Sequence, residues 1–245
     1  MREVRVHVDV PLAGQGRVLL PEQASQHVSR VLRLRDGAEL TVFDGRGGEY
    51  RATLRLAGRG GAAVDILERI DIERESPLSI TLLQGLARGE RMDWVIQKST
   101  ELGVTTIVPV ATSRSVVQLD AGRGDKRLQH WQGVAAAACE QCGRNVLPRI
   151  EAPQSFESAL ALAASIPLRV VLDPEDGAAL ASILPPGTDA IALLVGPEGG
   201  LDPEELALAR QAGFRSVRLG PRVLRTETAG LAALAALQCL AGDYA

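Results

Sequence analysis

The chain has 245 residues, 46% of them hydrophobic and 23% charged, with a formal net charge of −3. Such usage is that of an ordinary globular protein, no stretch approaches the roughly 20 apolar residues of a bilayer span, and the length fits two unequal domains better than one. The first ten residues, MREVRVHVDV, alternate polar and apolar side chains instead of forming the continuous apolar run of an export signal, so a cytoplasmic address with no membrane contact is expected.

The negative total speaks against indiscriminate adhesion to phosphates, but the charge is unevenly spread. Between residues 30 and 59, Arg30, Arg33, Arg35, Arg46, Arg51, Arg55 and Arg59 stand against Asp36, Glu39, Asp44 and Glu49, a local cationic excess. In the same region the residues from Pro21 to Leu32 carry helical spacing, with Ala24, Val28 and Val31 on one expected apolar face and His27 and Arg30 nearby. Leu40 to Phe43 then reads as a strand that turns through Asp44-Gly45-Arg46-Gly47-Gly48 into Glu49 to Leu56. In that second strand Tyr50, Ala52, Leu54 and Leu56 alternate with Glu49, Arg51, Thr53 and Arg55, the period of a half-buried strand with its polar set outward. A small β-barrel is the expected architecture of this part.

The charged run from Asp71 to Pro77 separates two patterns, and the domain boundary is expected between residues 73 and 74. Beyond it strands and helices alternate. Strands are expected at Leu78 to Leu83, Val104 to Val110, Leu168 to Leu172 and Ile191 to Val195; helices at Arg91 to Leu102, Lys126 to Cys142, Ala159 to Ala164 and Ala178 to Leu184. This alternation gives an α/β domain with a mostly parallel sheet. Cys139 and Cys142 form a CxxC, but neither Cys239 nor the histidines are spaced to complete a zinc site. Ordinary thiols on a helix, and no metal, are therefore expected.

The strand ending at Val195 runs into Gly196-Pro197-Glu198-Gly199-Gly200, then a helix capped by Asp202, opened by Pro203 and braced by Glu205. Glycines at the carboxyl end of such a strand let backbone amides approach a ligand, and a Cβ at Gly199 is expected to obstruct that approach. The bland alternative is a tight turn that merely needs glycine. A second loop, Gly220-Pro221-Arg222-Val223-Leu224-Arg225-Thr226-Glu227-Thr228, follows strand Ser216 to Leu219 and precedes the apolar helix Ala229 to Leu240. Two loops of this kind can wall one crevice. The chain has neither a phosphate-binding G-x-x-x-x-G-K-[ST] motif nor a G-x-G-x-x-G after a strand.

LLVGPEGGLDPEE and LGPRVLRTETA resemble the C-terminal signature of the RsmE family of 16S rRNA (uracil-N3)-methyltransferases, in the SPOUT superfamily. His27-Val28-Ser29-Arg30-Val31-Leu32-Arg33, the segment Lys98 to Val104 with Pro109, and Glu140 to Arg144 with Pro148 resemble further blocks of that family in the same order. The resemblance implies a PUA-like barrel (residues 1–73) followed by a trefoil-knotted SPOUT domain (74–245), a homodimer, and 16S ribosomal RNA of the small subunit as substrate. It also implies S-adenosylmethionine as cofactor, held by Leu172, by Gly196, Pro197, Glu198, Gly199 and Gly200, and by Leu219, Gly220, Val223, Leu224 and Arg225. A third contribution is expected from Asp173-Pro174-Glu175. His27, Arg30 and Arg33 are the expected RNA contacts.

Uridine N3 must lose a proton before it can attack a methyl group, so a base or a cation facing the developing uracil anion is required. Glu198, Glu227 and Arg225 are the candidates. Each has a structural alternative: a solvated turn for Glu198, a helix-dipole position for Glu227, and an ion-pair tie for Arg225. Two other classes compete with the methyltransferase: an assembly factor that binds RNA without methyl transfer, and a small-molecule nucleotide enzyme.

Overall fold

The computed structural model describes residues 4–57, 61–115 and 121–244, without the side chains of residues 121–123. Arg59 of the cationic stretch lies outside the described residues. The chain forms two compact units, one of residues 1–75 with 136–147 and one of residues 76–135 with 148–245.

In the first unit the elements are β1 (Arg5–His7), β2 (Arg17–Leu19), α1 (Glu22–Gln26), a π turn (His27–Val31), β3 (Glu39–Phe43), β4 (Glu49–Leu56) and β5 (Ala62–Ile70). The strands pair in the order β1-β3-β4-β5-β2, with β1 parallel to β3 and the other pairs antiparallel. The expected hairpin is present, Val42 facing Tyr50 and Leu40 facing Ala52. Tyr50, Ala52 and Leu54 are buried with Val6, Val18, Val42 and Val64, whereas Leu56 at the strand end is exposed.

Two expectations fail here for identifiable reasons. Glu49 was assigned to the outward face but is buried, because Arg5 and Arg74 both pair with its carboxylate; a carboxylate leaves water only where cations replace the hydration. Val31 was assigned to the buried face but is 68% exposed. The Leu32 N–H bonds to the His27 carbonyl, five residues back, at 2.9 Å, and this wider turn rotates the following residues off the 3.6-residue register.

The second unit contains β6 (Ser79–Gly85), α2 (Glu90–Glu101), β7 (Thr106–Ala111), α3 (Ala121–Cys142), whose last turns belong to the first unit, β8 (Arg149–Ile150), β9 (Gln154–Ser155) and α4 (Phe156–Leu162). There follow β10 (Leu168–Leu172), α5 (Leu180–Ile183), β11 (Ala190–Val195), α6 (Pro203–Gln211), β12 (Arg215–Val217) and α7 (Thr226–Ala241). The sheet runs β12-β10-β11-β6-β7-β8, with β9 also on β7, and every pairing is parallel.

Both faces of this sheet are covered, which explains the continuous apolar runs of its strands. Along β11, Ile191, Leu193 and Val195 join a cluster with Met92 and Ile96 of α2 and Leu234 and Leu237 of α7. Ala192 and Leu194 join the opposite cluster, with Ala159 of α4 and Ala209 of α6. Helix α7 is apolar nearly all round, yet Cys239 and Leu240 remain exposed on the single chain. It begins three residues before the expected Ala229, with Arg225 as N-cap.

Candidate active site

Because all strands of the second unit are parallel, their carboxyl ends share one edge, and the loops after β6, β7, β10, β11 and β12 emerge there. The loop after β11 is held closely against β6. A Cβ on Gly85 would lie 2.5 Å from the Pro197 nitrogen, and one on Gly196 would lie 2.9 Å from the Leu201 nitrogen. Neither position has room for a side chain. Gly200 needs glycine for its backbone, φ +70°, and a Cβ there would meet open space.

Gly199 has a neighbour that the sequence did not indicate. A Cβ there would meet the Arg114 Cβ at 3.1 Å, so a side chain from the loop after β7 packs against the position. The Arg114 guanidinium donates to the Gly199 carbonyl at 3.0 Å. Next to it the Ser113 N–H donates to Glu205 Oε1 at 2.7 Å and the Ser113 hydroxyl donates to Asp202. The α6 capping box forms as expected, Asp202 and Glu205 each accepting the other's backbone N–H. The Ser113 hydroxyl and the Glu205 N–H together hold the Asp202 carboxyl below its ordinary range.

The two loops singled out in the sequence meet through Thr226. Its hydroxyl donates to the Gly196 carbonyl at 2.5 Å and accepts from Gln84 Nε2 at 2.9 Å. Gln84 is fully buried at the end of β6, and its Oε1 has no partner among the described residues. A glutamine within the apolar run SITLLQG was the signal for this residue, since a buried amide must be bonded; neither it nor Arg91 was singled out from the sequence.

Arg91, on α2, joins the candidate glutamates. It donates to Glu198 Oε1 at 2.9 Å, and its Nε lies 3.7 Å from Glu227 Oε1. Glu198 Oε1 also accepts the Arg88 N–H at 2.9 Å. Burial alone would raise the Glu198 carboxyl, but these hydrogen bonds and the Arg91 charge outweigh it and hold the group below the usual carboxylate range. Glu227 is three-quarters or more buried, and its Oε2 has no hydrogen-bond partner among the described residues.

Arg225 is exposed, and its side chain makes no hydrogen bond or ion pair among the described residues; its carbonyl accepts the Thr228 and Ala229 N–H groups at 2.9 and 2.8 Å. Gly220 has φ +74° with open space at its Cβ. Leu172 and Leu219 pack against the first core cluster, Leu224 is half-buried, and Val223 is 80% exposed. In the third loop Asp173 is buried and accepts the Glu175 and Asp176 N–H groups and the Arg210 guanidinium, which makes it the brace of its own turn.

In the first unit, His27, Arg30 and Arg33 lie on or just after the π turn. Arg30 and Arg33 are exposed and unpaired among the described residues. His27 Nε2 lies 3.9 Å from Glu140 Oε2, while Glu140 Oε1 accepts the His7 N–H at 2.9 Å. Burial pushes the Glu140 carboxyl up, against the pull of the His7 N–H and of His27 and Arg5. Cys139 is buried and Cys142 partly so, and no cluster of three metal-ligating side chains exists among the described residues. No described helix is long and apolar enough to cross a membrane.

Residues 74–238 match the model of an RNA methyltransferase domain, and residues 20–67 match that of an RNA methyltransferase PUA domain. The chain is 32% identical to ribosomal RNA small subunit methyltransferase E of Bacillus subtilis over 229 residues, 89% of each protein. It is 34% identical to the Mycobacterium tuberculosis protein of the same name, over 89% of this chain and 84% of that one. Among solved structures, ribosomal RNA small subunit methyltransferase E from Neisseria gonorrhoeae bound to S-adenosyl methionine superposes with a TM-score of 0.90 at 38% identity, covering 100% of both chains. A methyltransferase of Legionella pneumophila in complex with the cofactor SAM gives 0.94 at 38% identity, over 99% of this chain and 100% of that one.

Proposed function

The chain belongs to the ribosomal RNA small subunit methyltransferase E family, and from that premise we propose that it methylates N3 of one uridine in 16S ribosomal RNA, using S-adenosylmethionine. The observation that carries this reading is the junction of the two glycine-bearing loops, Gly196–Thr226–Gln84 on one side and Glu198–Arg91–Glu227 on the other.

The residues at this junction fit the cofactor. Gly200 and Gly220 adopt φ +70° and +74° with open space beside them, so the backbone there is accessible, and Gln84 Oε1 and Glu227 Oε2 are buried acceptors with no donor among the described residues. When bound, S-adenosylmethionine supplies a methyl group on a positively charged sulfur. The backbone of Gly196 to Gly200 and of Leu219 to Arg225, with Leu172 beside them, would hold it.

The protein's own task is then to position the uridine and accept its N3 proton. Arg225, a cation with no partner among the described residues, is assigned to the developing uracil anion. Of the two glutamates, Glu198 is already committed to Arg88 and Arg91, and a carboxylate held below its ordinary range is a weak base. Glu227 has an oxygen with no hydrogen-bond partner among the described residues and is the one assigned to accept the proton. His27, Arg30 and Arg33 are assigned to RNA. The domains divide between residues 73 and 74, the second threaded as a trefoil knot. The enzyme works as a cytoplasmic homodimer on small-subunit RNA in its ribosomal context, the exposed end of α7 belonging to the dimer contact.

Incubating the protein with labelled S-adenosylmethionine and small ribosomal subunits, then analysing the nucleosides by mass spectrometry, tests the reading. Labelled 3-methyluridine is expected. Label in a different nucleoside would overturn the position, and the absence of saturable S-adenosylmethionine binding in calorimetry would overturn the activity.

A further inference from the structure

Had the helix that begins at Glu22 kept its α spacing, Val31 would share the buried face of Val28, three residues earlier. The π turn prevents this. Val28 is fully buried, whereas Val31 is 68% and Leu32 36% exposed. The chain is then stopped sharply: Arg33 adopts φ +52°, the one non-glycine residue with positive φ among those described, and the Leu34 N–H returns to the Val28 carbonyl at 2.9 Å. The backbone therefore fixes two neighbouring apolar side chains on the surface, and π turns recur at functional sites.

The cations beside them differ from most other arginines described in the unit, Arg46 excepted. Arg17 and Arg55 pair with Asp65, Arg51 with Glu68 and Arg69 with Asp71. Arg30, Arg33 and Arg35 are exposed and pair with nothing among the described residues. Asp36, the nearest acid in sequence, accepts the Leu56 N–H at 2.8 Å. An apolar pair flanked by three uncommitted guanidinium groups complements RNA that has a base out of its stack, since the base offers an apolar face and the neighbouring phosphates offer charge. A second copy docking here about a two-fold axis would bring the same three arginines face to face.

We propose that the π turn is a wedge that reads RNA, with Val31 and Leu32 packing on the face of an unstacked base while Arg30, Arg33 and Arg35 grip the phosphates around it. This rests on the assignment of this face to ribosomal RNA, and the experiment separates the two. Full-length protein is titrated with transcribed 16S rRNA in filter binding at several salt concentrations. Val31→Ala with Leu32→Ala should weaken binding about tenfold at every salt concentration, the loss of roughly one buried aliphatic side chain, and leave the slope of affinity against salt unchanged. Val31→Phe, with a larger flat surface, should bind at least as tightly as the wild type. Arg30→Ala with Arg33→Ala should make the slope shallower by about 1.4, or 0.7 per phosphate on a single strand. Cofactor affinity should not move in any variant. Wild-type RNA affinity in the Val31/Leu32 variant, with the arginine effect intact, overturns the wedge alone. An unchanged slope and affinity in the arginine variant overturns the RNA face itself. Loss of self-association in the Val31/Leu32 variant, seen by sedimentation, assigns the pair to a protein contact and also overturns the wedge.

Discussion

Arg91 donates to Glu198 at 2.9 Å from a position 107 residues earlier in the chain, and the same guanidinium faces Glu227 at 3.7 Å. One side chain of α2 thus spans both loops of the proposed cofactor site. Arg91→Ala should weaken S-adenosylmethionine binding on the order of tenfold, in keeping with the loss of a charge-assisted hydrogen bond that is partly open to solvent. Arg91→Lys should fall between, because an ammonium cannot present the planar fork that reaches two carboxylates. Calorimetry on the three proteins checks the order; equal affinity in all of them would remove Arg91 from the site.

The two glutamates should separate kinetically. Glu198→Gln is expected to raise the KM for cofactor while leaving kcat within about threefold, since a group held ionised by Arg88 and Arg91 is poorly suited to take a proton. Glu227→Gln is expected to lower kcat by about a hundredfold or more, the typical yield of a positioned base. A collapse of kcat in the Glu198 variant with unchanged KM would reverse the assignment.

Thr226→Val keeps the side-chain volume and removes the hydroxyl that joins Gln84 to Gly196. Leaving the Gly196 carbonyl and the buried Gln84 amide without that partner should cost about 1–3 kcal/mol of stability. Chemical denaturation measures the loss. Thr226→Ser retains the hydroxyl and should recover most of it.

Glycine substitutions should rank by what a Cβ would strike. Gly85→Ala sets a methyl against the Pro197 backbone, which cannot give, and should cost about 2–3 kcal/mol and disorder the loop after β11. Gly199→Ala brings a methyl to 3.1 Å from the Arg114 Cβ, a contact that a shift of a few tenths of an ångström accommodates, and should cost about 1 kcal/mol. Denaturation midpoints of these variants would expose a wrong ranking directly.

Acid stability should register Glu49. Burial raises its carboxyl, but the hydrogen bonds and charges of Arg74 and Arg5 outweigh it and set the folded-state value below the ordinary 4.5. A lowered folded value means that the stabilisation is complete above pH 4.5 and is lost as the pH falls through the folded value. Glu49→Gln should therefore be less stable than the wild type by about 3 kcal/mol at pH 7. The difference should shrink in melts taken progressively below pH 4.5. A difference that stays constant with pH would mean that the carboxylate charge is not what holds Arg5 and Arg74.

Local pattern carried much of this protein in its sequence. The β3–β4 hairpin was legible because alternation and a glycine-rich turn are properties of neighbouring residues, and the Asp202 capping box because its parts lie three residues apart. The two glycine loops were legible as a candidate site for the same reason, and the motifs around them pointed to the family.

What the sequence did not yield depends on residues that meet only after folding. Glu49 looked like an outward residue because its two arginine partners lie 44 and 25 positions away. An α period would bury Val31, but the backbone takes a wider turn there, which local spacing does not announce. The packing of Arg114 on Gly199 was not legible, since Arg114 stands 85 residues earlier. The Gln84–Thr226–Gly196 bridge and the Arg91 clamp arise because parallel strands bring their carboxyl ends to one edge, whatever their order in the chain. By itself the sequence determined the main strands and helices of the second unit and the two glycine-rich loops between them; only the tertiary structure decided which charges and hydroxyls join those loops, because that choice is made by strand order and not by local periodicity.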